Sequence, residues 1–174
     1  KGGQMGTATG NLTINGILNV TGGTFDSDDA SVRVHNIGSI SNSGTVRMDL
    51  VSTVNVSSAT TNTGTINIGI GTYNNTGNYI NTNGSTILGA GLLNIDGDIT
   101  GGTLDFNNSA GTLRIAGVFT PATLNEDIGT IIFDGTAQTI PAETYYHLKT
   151  GSINTAYTLG GAVVVKGNLT IDEI

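Results

Sequence analysis

The sequence predicts an all-β chain wound as a right-handed parallel β-helix, a β-solenoid with coils of about 20 residues. Three observations carry this reading. A short phrase, Gly then Thr or Ser then an apolar residue, returns at a nearly constant interval. A second set of short apolar/polar alternations keeps the same pitch. β-Branched residues and Gly dominate, while Ala, Leu, Glu, Lys and Gln are few, so almost no helix is expected.

The phrase reads as a turn releasing into a strand. Its copies are Gly23-Thr24-Phe25, Gly44-Thr45-Val46, Gly64-Thr65-Ile66, the looser Gly84-Ser85-Thr86, Gly102-Thr103-Leu104 and Gly129-Thr130-Ile131. Successive glycines lie 21, 20, 20, 18 and 27 residues apart. The second lane runs through Ser31-Val32-Arg33-Val34, Thr53-Val54-Asn55-Val56, Gly71-Thr72-Tyr73, Leu92-Leu93-Asn94-Ile95 and Thr112-Leu113-Arg114-Ile115. Taking Val32, Val54, Tyr73, Leu93 and Leu113 as equivalent gives steps of 22, 19, 20 and 20.

Alternation along such strands sends one set of side chains inward and the other to solvent. The inward set is expected to be Phe25, Val32, Val46, Val54, Ile66, Ile68, Leu93, Leu104, Phe106, Leu113, Ile131 and Phe133, with Asn, Thr and Ser outside. Strands this short cannot bury enough surface alone, whereas parallel stacking at about 4.8 Å per coil gives one continuous core.

Corners are marked by Asn15-Gly16, Ser43-Gly44, Asn83-Gly84, Asp96-Gly97 and Asp134-Gly135, where the chain can turn sharply. Such dipeptides also make hairpins, so an antiparallel sandwich is the structural alternative; the 20-residue register favours the solenoid. Between Ile115 and Gly129 the register weakens, and Val118–Asp127 reads as a protruding loop or lengthened coil. Pro121 and Pro141 fall outside the strand centres, as their missing amide hydrogens require.

Residues 1–174 read as one domain of seven or eight coils, a rod of roughly 35–40 Å. Gly10-Asn11-Leu12-Thr13-Ile14 near the start and Gly167-Asn168-Leu169-Thr170-Ile171 near the finish are the same five residues, and no capping segment is visible at either end. The chain is expected to be a segment of a longer repetitive protein, or a filament subunit whose ends stack on neighbours.

Thr, Asn, Ser and Gly supply about half of the chain, far above ordinary usage. Six basic against thirteen acidic residues give a net charge of −7, which repels phosphate backbones, so nucleic acid is not an expected partner. The absence of Cys removes disulfides, thiolate metal sites and cysteine nucleophiles. No apolar run has the length of a membrane span, and membrane insertion is not expected. An Asn/Thr/Gly-rich, cysteine-free framework held by regular hydrogen bonding fits an extracellular or cell-surface location.

The stretch Gly129–Pro141, with Tyr145-Tyr146-His147-Leu148 and Val163–Ile171, resembles repeats in large surface adhesins of the Bacteroidetes type, many of them exported by the type IX system. The remaining chain is similar in texture to filamentous-haemagglutinin-like adhesins. The resemblance implies a secreted scaffold or adhesive stalk, with structural rather than catalytic motifs.

Chemistry-bearing candidates are few. Asp26-Ser27-Asp28-Asp29 and Asp96-Gly97-Asp98 could offer oxygen ligands to Ca²⁺, but neither has a complete calcium-loop spacing, and acidic corners are the expected reading. Asp105 and Asp134 are the one carboxylate pair worth weighing for glycoside chemistry. His35 and His147 are expected at the surface or in turns. Tyr145-Tyr146 is the best ligand-contact candidate, since adjacent strand residues face opposite ways and one must look outward. Thr61-Asn62-Thr63-Gly64-Thr65 and Thr7-Ala8-Thr9 suggest an ice-ordering face, though the motif is not sustained.

No catalytic, cofactor or metal residue is assigned. The expected function is a structural or adhesive extracellular module, not an enzyme, whose partners are further copies end to end, surface glycans or other cells. Ice or carbohydrate binding on one face is the alternative, and a polysaccharide-degrading β-helix enzyme the third.

Overall fold

The computed structural model describes residues 4–6, 10–27, 32–48, 52–151 and 156–172. Among them are twenty-four short strands and no helix, and every strand pairing is parallel. The chain is a β-solenoid. Strands pair with partners about 20 residues before or after them in the chain, and among the described residues no pairing is a hairpin, which leaves the sandwich alternative without support.

A seven-stranded sheet forms the first face: Gln4–Gly6, Thr24–Asp26, Thr45–Arg47, Thr65–Asn67, Ser85–Ile87, Thr103–Asp105 and Thr123–Asn125. The second sheet carries two lanes. The taller runs through Thr13–Val20, Val34–Asn42, Thr53–Val56, Thr72–Asn75, Leu92–Ile95, Thr112–Ile115, Thr130–Phe133, His147–Thr150 and Leu169–Ile171. The shorter continues the far half of Val34–Asn42 through Thr60–Asn62, Tyr79–Ile80, Ile99–Thr100 and Phe119–Thr120. Nine levels at the strand spacing make the tall lane about 38 Å high.

The Gly of the repeating phrase has a steric cause. A Cβ at Gly64 would run into the carbonyl of Gly44, and one at Gly44 into the carbonyl of Gly23, because each corner rests directly on the one below. The Thr that follows points outward, and the apolar residue after it points in.

The interior is a set of columns. Phe25, Val46, Ile66 and Leu104 stack on the first face, with Ile68 and Phe106 just beyond their strands; Val54, Leu93, Leu113, Ile131 and Phe133 stack in the tall lane, and all of these are buried. Val32 is a correction: it is 68% exposed, and His35 occupies the column below Val54, Tyr73, Leu93 and Leu113. The misplacement explains the one irregular step of 22, since counting from His35 to Val54 gives 19.

The irregular step of 27 has a similar origin. Thr123–Asn125 is the next strand of the first sheet, so Ala122 stands where a sixth Gly was expected, and Gly129-Thr130 opens a strand of the tall lane instead. Val118–Asp127 is therefore an ordinary coil and not a protruding loop. Both lanes begin with Gly-Thr, as Gly71-Thr72 and Gly111-Thr112 show, and the phrase alone cannot tell them apart.

Asn and Thr are not confined to the outside. Asn42, Asn62 and Asn81 form a buried ladder: Asn42 donates from Nδ2 to Asn62 Oδ1 and Asn62 from Nδ2 to Asn81 Oδ1, each at 2.8 Å. The oxygens of Asn42 and Asn62 also accept from the amides of Gly44 and Gly64, so each side chain holds its corner and ties it to the next. Deeper inside, Thr60 donates to Asn75 Oδ1 at 2.7 Å, which leaves its oxygen to accept from the hydroxyl of Tyr73 at 2.7 Å. Tyr79 and Thr86 bond at 2.6 Å, and the rings of Tyr73 and Tyr79 meet edge to face at 6.0 Å.

Candidate functional site

Most groups that could carry chemistry are spent in tying one coil to another. Arg114 donates from Nη2 and Nε to Asp134 Oδ2 at 2.6 and 2.9 Å, one coil on. Lys149 meets Asp172 at 3.0 Å, and Lys166 reaches Glu126 across two coils. That contact holds the Glu126 carboxyl below its ordinary value, chiefly through the hydrogen bond from Lys166.

The carboxylates weighed for glycoside chemistry are not brought together. Asp105 belongs to the first sheet, where its Oδ1 accepts from the Asn107 amide at 2.6 Å, whereas Asp134 follows a strand of the second and is held by Arg114. Asp98 accepts from the Val118 amide at 2.8 Å. Asp28 and Asp29, like Thr7-Ala8-Thr9 and Ser31, lie outside the described residues. Among the described residues no three His, Cys, Asp or Glu side chains are grouped to hold a metal ion.

The histidines correct the surface reading in different degrees. His35 is fully buried, its Nδ1 accepting from the Leu12 amide at 3.1 Å and its ring edge-on to Phe25 at 6.0 Å. His147 is half-buried on a tall-lane strand, and its Nδ1 accepts from the Asn168 amide at 2.9 Å.

Tyr145 and Tyr146 face opposite ways, as strand alternation requires, and this decides between them. Tyr145 is corrected as a ligand contact: it is buried, edge-on to Phe133 at 6.1 Å, and donates to the Pro141 carbonyl at 3.1 Å. Burial, with a smaller push from Glu143, raises its hydroxyl well above the ordinary tyrosine value. Tyr146 faces an open groove of about 550 Å³ and is propped edge-on against His147 at 4.7 Å.

Four successive coils build that groove. Asp105, Asn107 and Asn108 come from one, Asn125 through Ile128 from the next, then Tyr146, then Lys166. The chain turns there in the left-handed region at Asn107, Asn108 and Asp127, and the Asp127 carboxylate accepts from the Asn108 amide at 2.9 Å. The result is an aromatic face beside amides and carboxylates, a lining suited to hydroxyl-rich ligands.

No family model, no curated protein and no solved structure matches this chain.

The Thr61-Asn62-Thr63-Gly64-Thr65 stretch is not one flat face. Thr61 stands on the short lane, Asn62 points inward, and Thr65 belongs to the other sheet. The Thr or Ser of the repeating phrase, joined by Thr123, does form a column up the first sheet, Thr24, Thr45, Thr65, Ser85, Thr103 and Thr123. Its neighbouring outward column, Asp26, Arg47, Asn67, Ile87, Asp105 and Asn125, is mixed in charge and polarity.

The last coil contains Leu159, Val164, Leu169 and Ile171, each more than half exposed. Leu169 and Ile171 lie in inward columns, above Leu148 and Thr150, where nothing among the described residues covers them. No helix of the described residues is long and apolar enough to cross a membrane.

Proposed function

We propose that the chain is a structural and adhesive module of the cell exterior, a stiff β-solenoid that extends, spaces or links surface structures and performs no catalysis. The observation that carries this reading is the use of its side chains along the axis. The Asn42, Asn62 and Asn81 ladder, the Asn36, Asn55 and Asn74 stack outside, and the Arg114–Asp134 and Lys166–Glu126 pairs each join one coil to another. Side chains committed to bonds between coils resist extension and shear of the shaft.

An Asn/Thr/Gly-rich chain held by repeated backbone pairing needs no disulfides to persist outside the cell, and that composition supports the assignment. Antibody labelling of intact cells of the producing organism tests the assignment. Surface labelling that disappears with the gene, together with loss of attachment or of surface fibres, is expected; antigen found only after permeabilisation contradicts it.

Carbohydrate contact at the Tyr146 groove is the second reading, favoured by the ring standing beside Asn107, Asn108 and Asn125. A glycan array would show binding that Tyr146→Ala abolishes. Retention of all glycan signal by that variant removes the groove from the account.

A further inference from the structure

A second groove, of about 400 Å³, runs along another side of the shaft. The Tyr146 groove opens where the first sheet passes into the tall lane; this one lies at the far end of the tall-lane strands, where Gly38 bends Val34–Asn42 toward the short lane. Its wall is the outward column of Asn36, Asn55 and Asn74. Ser57 and Thr76 stand two residues beyond Asn55 and Asn74 on the same face, both exposed, while Val56 and Asn75 between them are buried.

A carboxamide offers two N–H donors and two acceptor lone pairs. Asn55 donates from Nδ2 to Asn36 Oδ1 at 3.0 Å and accepts at Oδ1 from Asn74 Nδ2 at 2.9 Å. The stack therefore takes one donor and one acceptor of Asn55 and leaves the other of each for a ligand. Stacking repeats this arrangement at about 4.8 Å per coil. It also repeats in one direction, because both bonds donate toward the lower coil.

None of the residues lining the groove is charged. Arg114, two levels above Asn74 in the same column, is held by Asp134. A charged ligand would give up hydration here without gaining a counter-charge, and the net charge of −7 adds repulsion for an anion.

We infer that this groove binds a neutral, linear polysaccharide laid along the shaft with one sugar per coil, its hydroxyls exchanging hydrogen bonds with Asn36, Asn55, Asn74, Ser57 and Thr76. A hydroxyl both donates and accepts, as the free half of each carboxamide requires. Spacing selects the polymer: β-1,4-linked pyranose rings advance by about 5 Å each, close to the coil spacing of about 4.8 Å, whereas an extended peptide advances by about 3.3 Å per residue and falls out of register. The inference rests on the adhesive half of the proposed function, is independent of the Tyr146 groove, and names the polymer that the shaft holds.

Amide NMR of the full chain, titrated with β-1,4-linked gluco-oligosaccharides and with galacturonate oligomers of the same lengths, tests it. The side-chain NH2 signals of Asn36, Asn55 and Asn74 should shift with the neutral series only, and affinity should climb from disaccharide to tetrasaccharide as successive coils are engaged. Asn55→Ala combined with Asn74→Ala, shown to be folded by circular dichroism and melting, should weaken tetrasaccharide binding about tenfold. Tyr146→Ala should leave it unchanged. If the double variant does not fold, the wild-type shifts decide alone.

Unmoved NH2 signals at all three Asn, affinity that ignores length, or an equal response to galacturonate overturns the inference. Shifts confined to the surroundings of Tyr146 refute this groove and leave the other standing. No response to any sugar at either place refutes both grooves and leaves only the structural half of the proposed function.

Discussion

Asn62 donates from Nδ2 to Oδ1 of Asn81 at 2.8 Å while its own Oδ1 accepts from Asn42, so the middle member of the ladder is bonded above and below inside the solenoid. Removing it strands two buried partners at once. Asn62→Leu is expected to destabilise the chain by about 2 kcal/mol or more, since each orphaned buried polar group costs roughly 1–3 kcal/mol. Asn55→Ala, in the outer, half-buried stack with Asn36 and Asn74, should cost clearly less, about 0.5 kcal/mol, because water can reach the partners it leaves. Urea unfolding of the two variants compares them; equal effects would mean that the inner ladder has no special weight.

The inward columns make a second prediction. Ile66→Asp and Leu113→Asp place an unpaired charge where no water reaches, and each should cost several kcal/mol or prevent folding. Val32→Asp should be tolerated, because Val32 stands outside the column. Thermal melting of the three variants checks both halves.

The pitch, the fold class and most of the core were legible in the sequence because a solenoid writes its geometry as periodicity. Phe25, Val46, Ile66 and Leu104 could be aligned by eye, since each follows a Gly-Thr or similar corner by a fixed offset. What was obscured lay where two lanes share one signature: Gly129-Thr130 copies the phrase of the first sheet but opens a strand of the other. His35 was hidden by its chemistry, a polar ring in a column of aliphatic and aromatic residues, although equal spacing pointed to it. The buried Asn ladder had a signal as well, an Asn two or three residues before the Gly at Asn42, Asn62 and Asn81. Asn so often marks a turn that its inward direction could not be read from composition. The Tyr146 groove draws on residues from four coils, and only the stacking of those coils brings them together.

Acid should weaken the solenoid partly through Glu126. Its carboxyl titrates lower in the folded chain than its ordinary value near 4.5, because Lys166 donates to it. The contribution is therefore fully present above that value and is lost as pH falls through the lower folded value. Glu126→Gln should lower the melting temperature at pH 7 and make no difference in strong acid, where both chains carry a neutral side chain. A difference that is the same at both pH values would assign the effect to packing instead.

Alkali should act through the buried tyrosines. Burial raises the hydroxyls of Tyr73, Tyr79 and Tyr145 above the ordinary value near 10, with Tyr79 adding to the shift of Tyr73 and Glu143 to that of Tyr145. Below that value neither state ionises and stability is unaffected. Above it the unfolded chain loses protons that the folded chain keeps, so stability falls as pH rises. Ultraviolet titration should show these tyrosines ionising only as the strand signal is lost. Their ionisation in an intact fold would place them in contact with water.

The stacked columns themselves can be measured directly, because the chain has no Cys and accepts paired spin labels without interference. Asn36, Arg114, Ile132 and Lys149 belong to one outward column, with Arg114 four levels above Asn36, Ile132 five and Lys149 six. Labels at Asn36 paired with each of the other three should give separations near 19, 24 and 29 Å, rising by about 4.8 Å per level. Separations that fail to grow by one strand spacing per coil would contradict the solenoid.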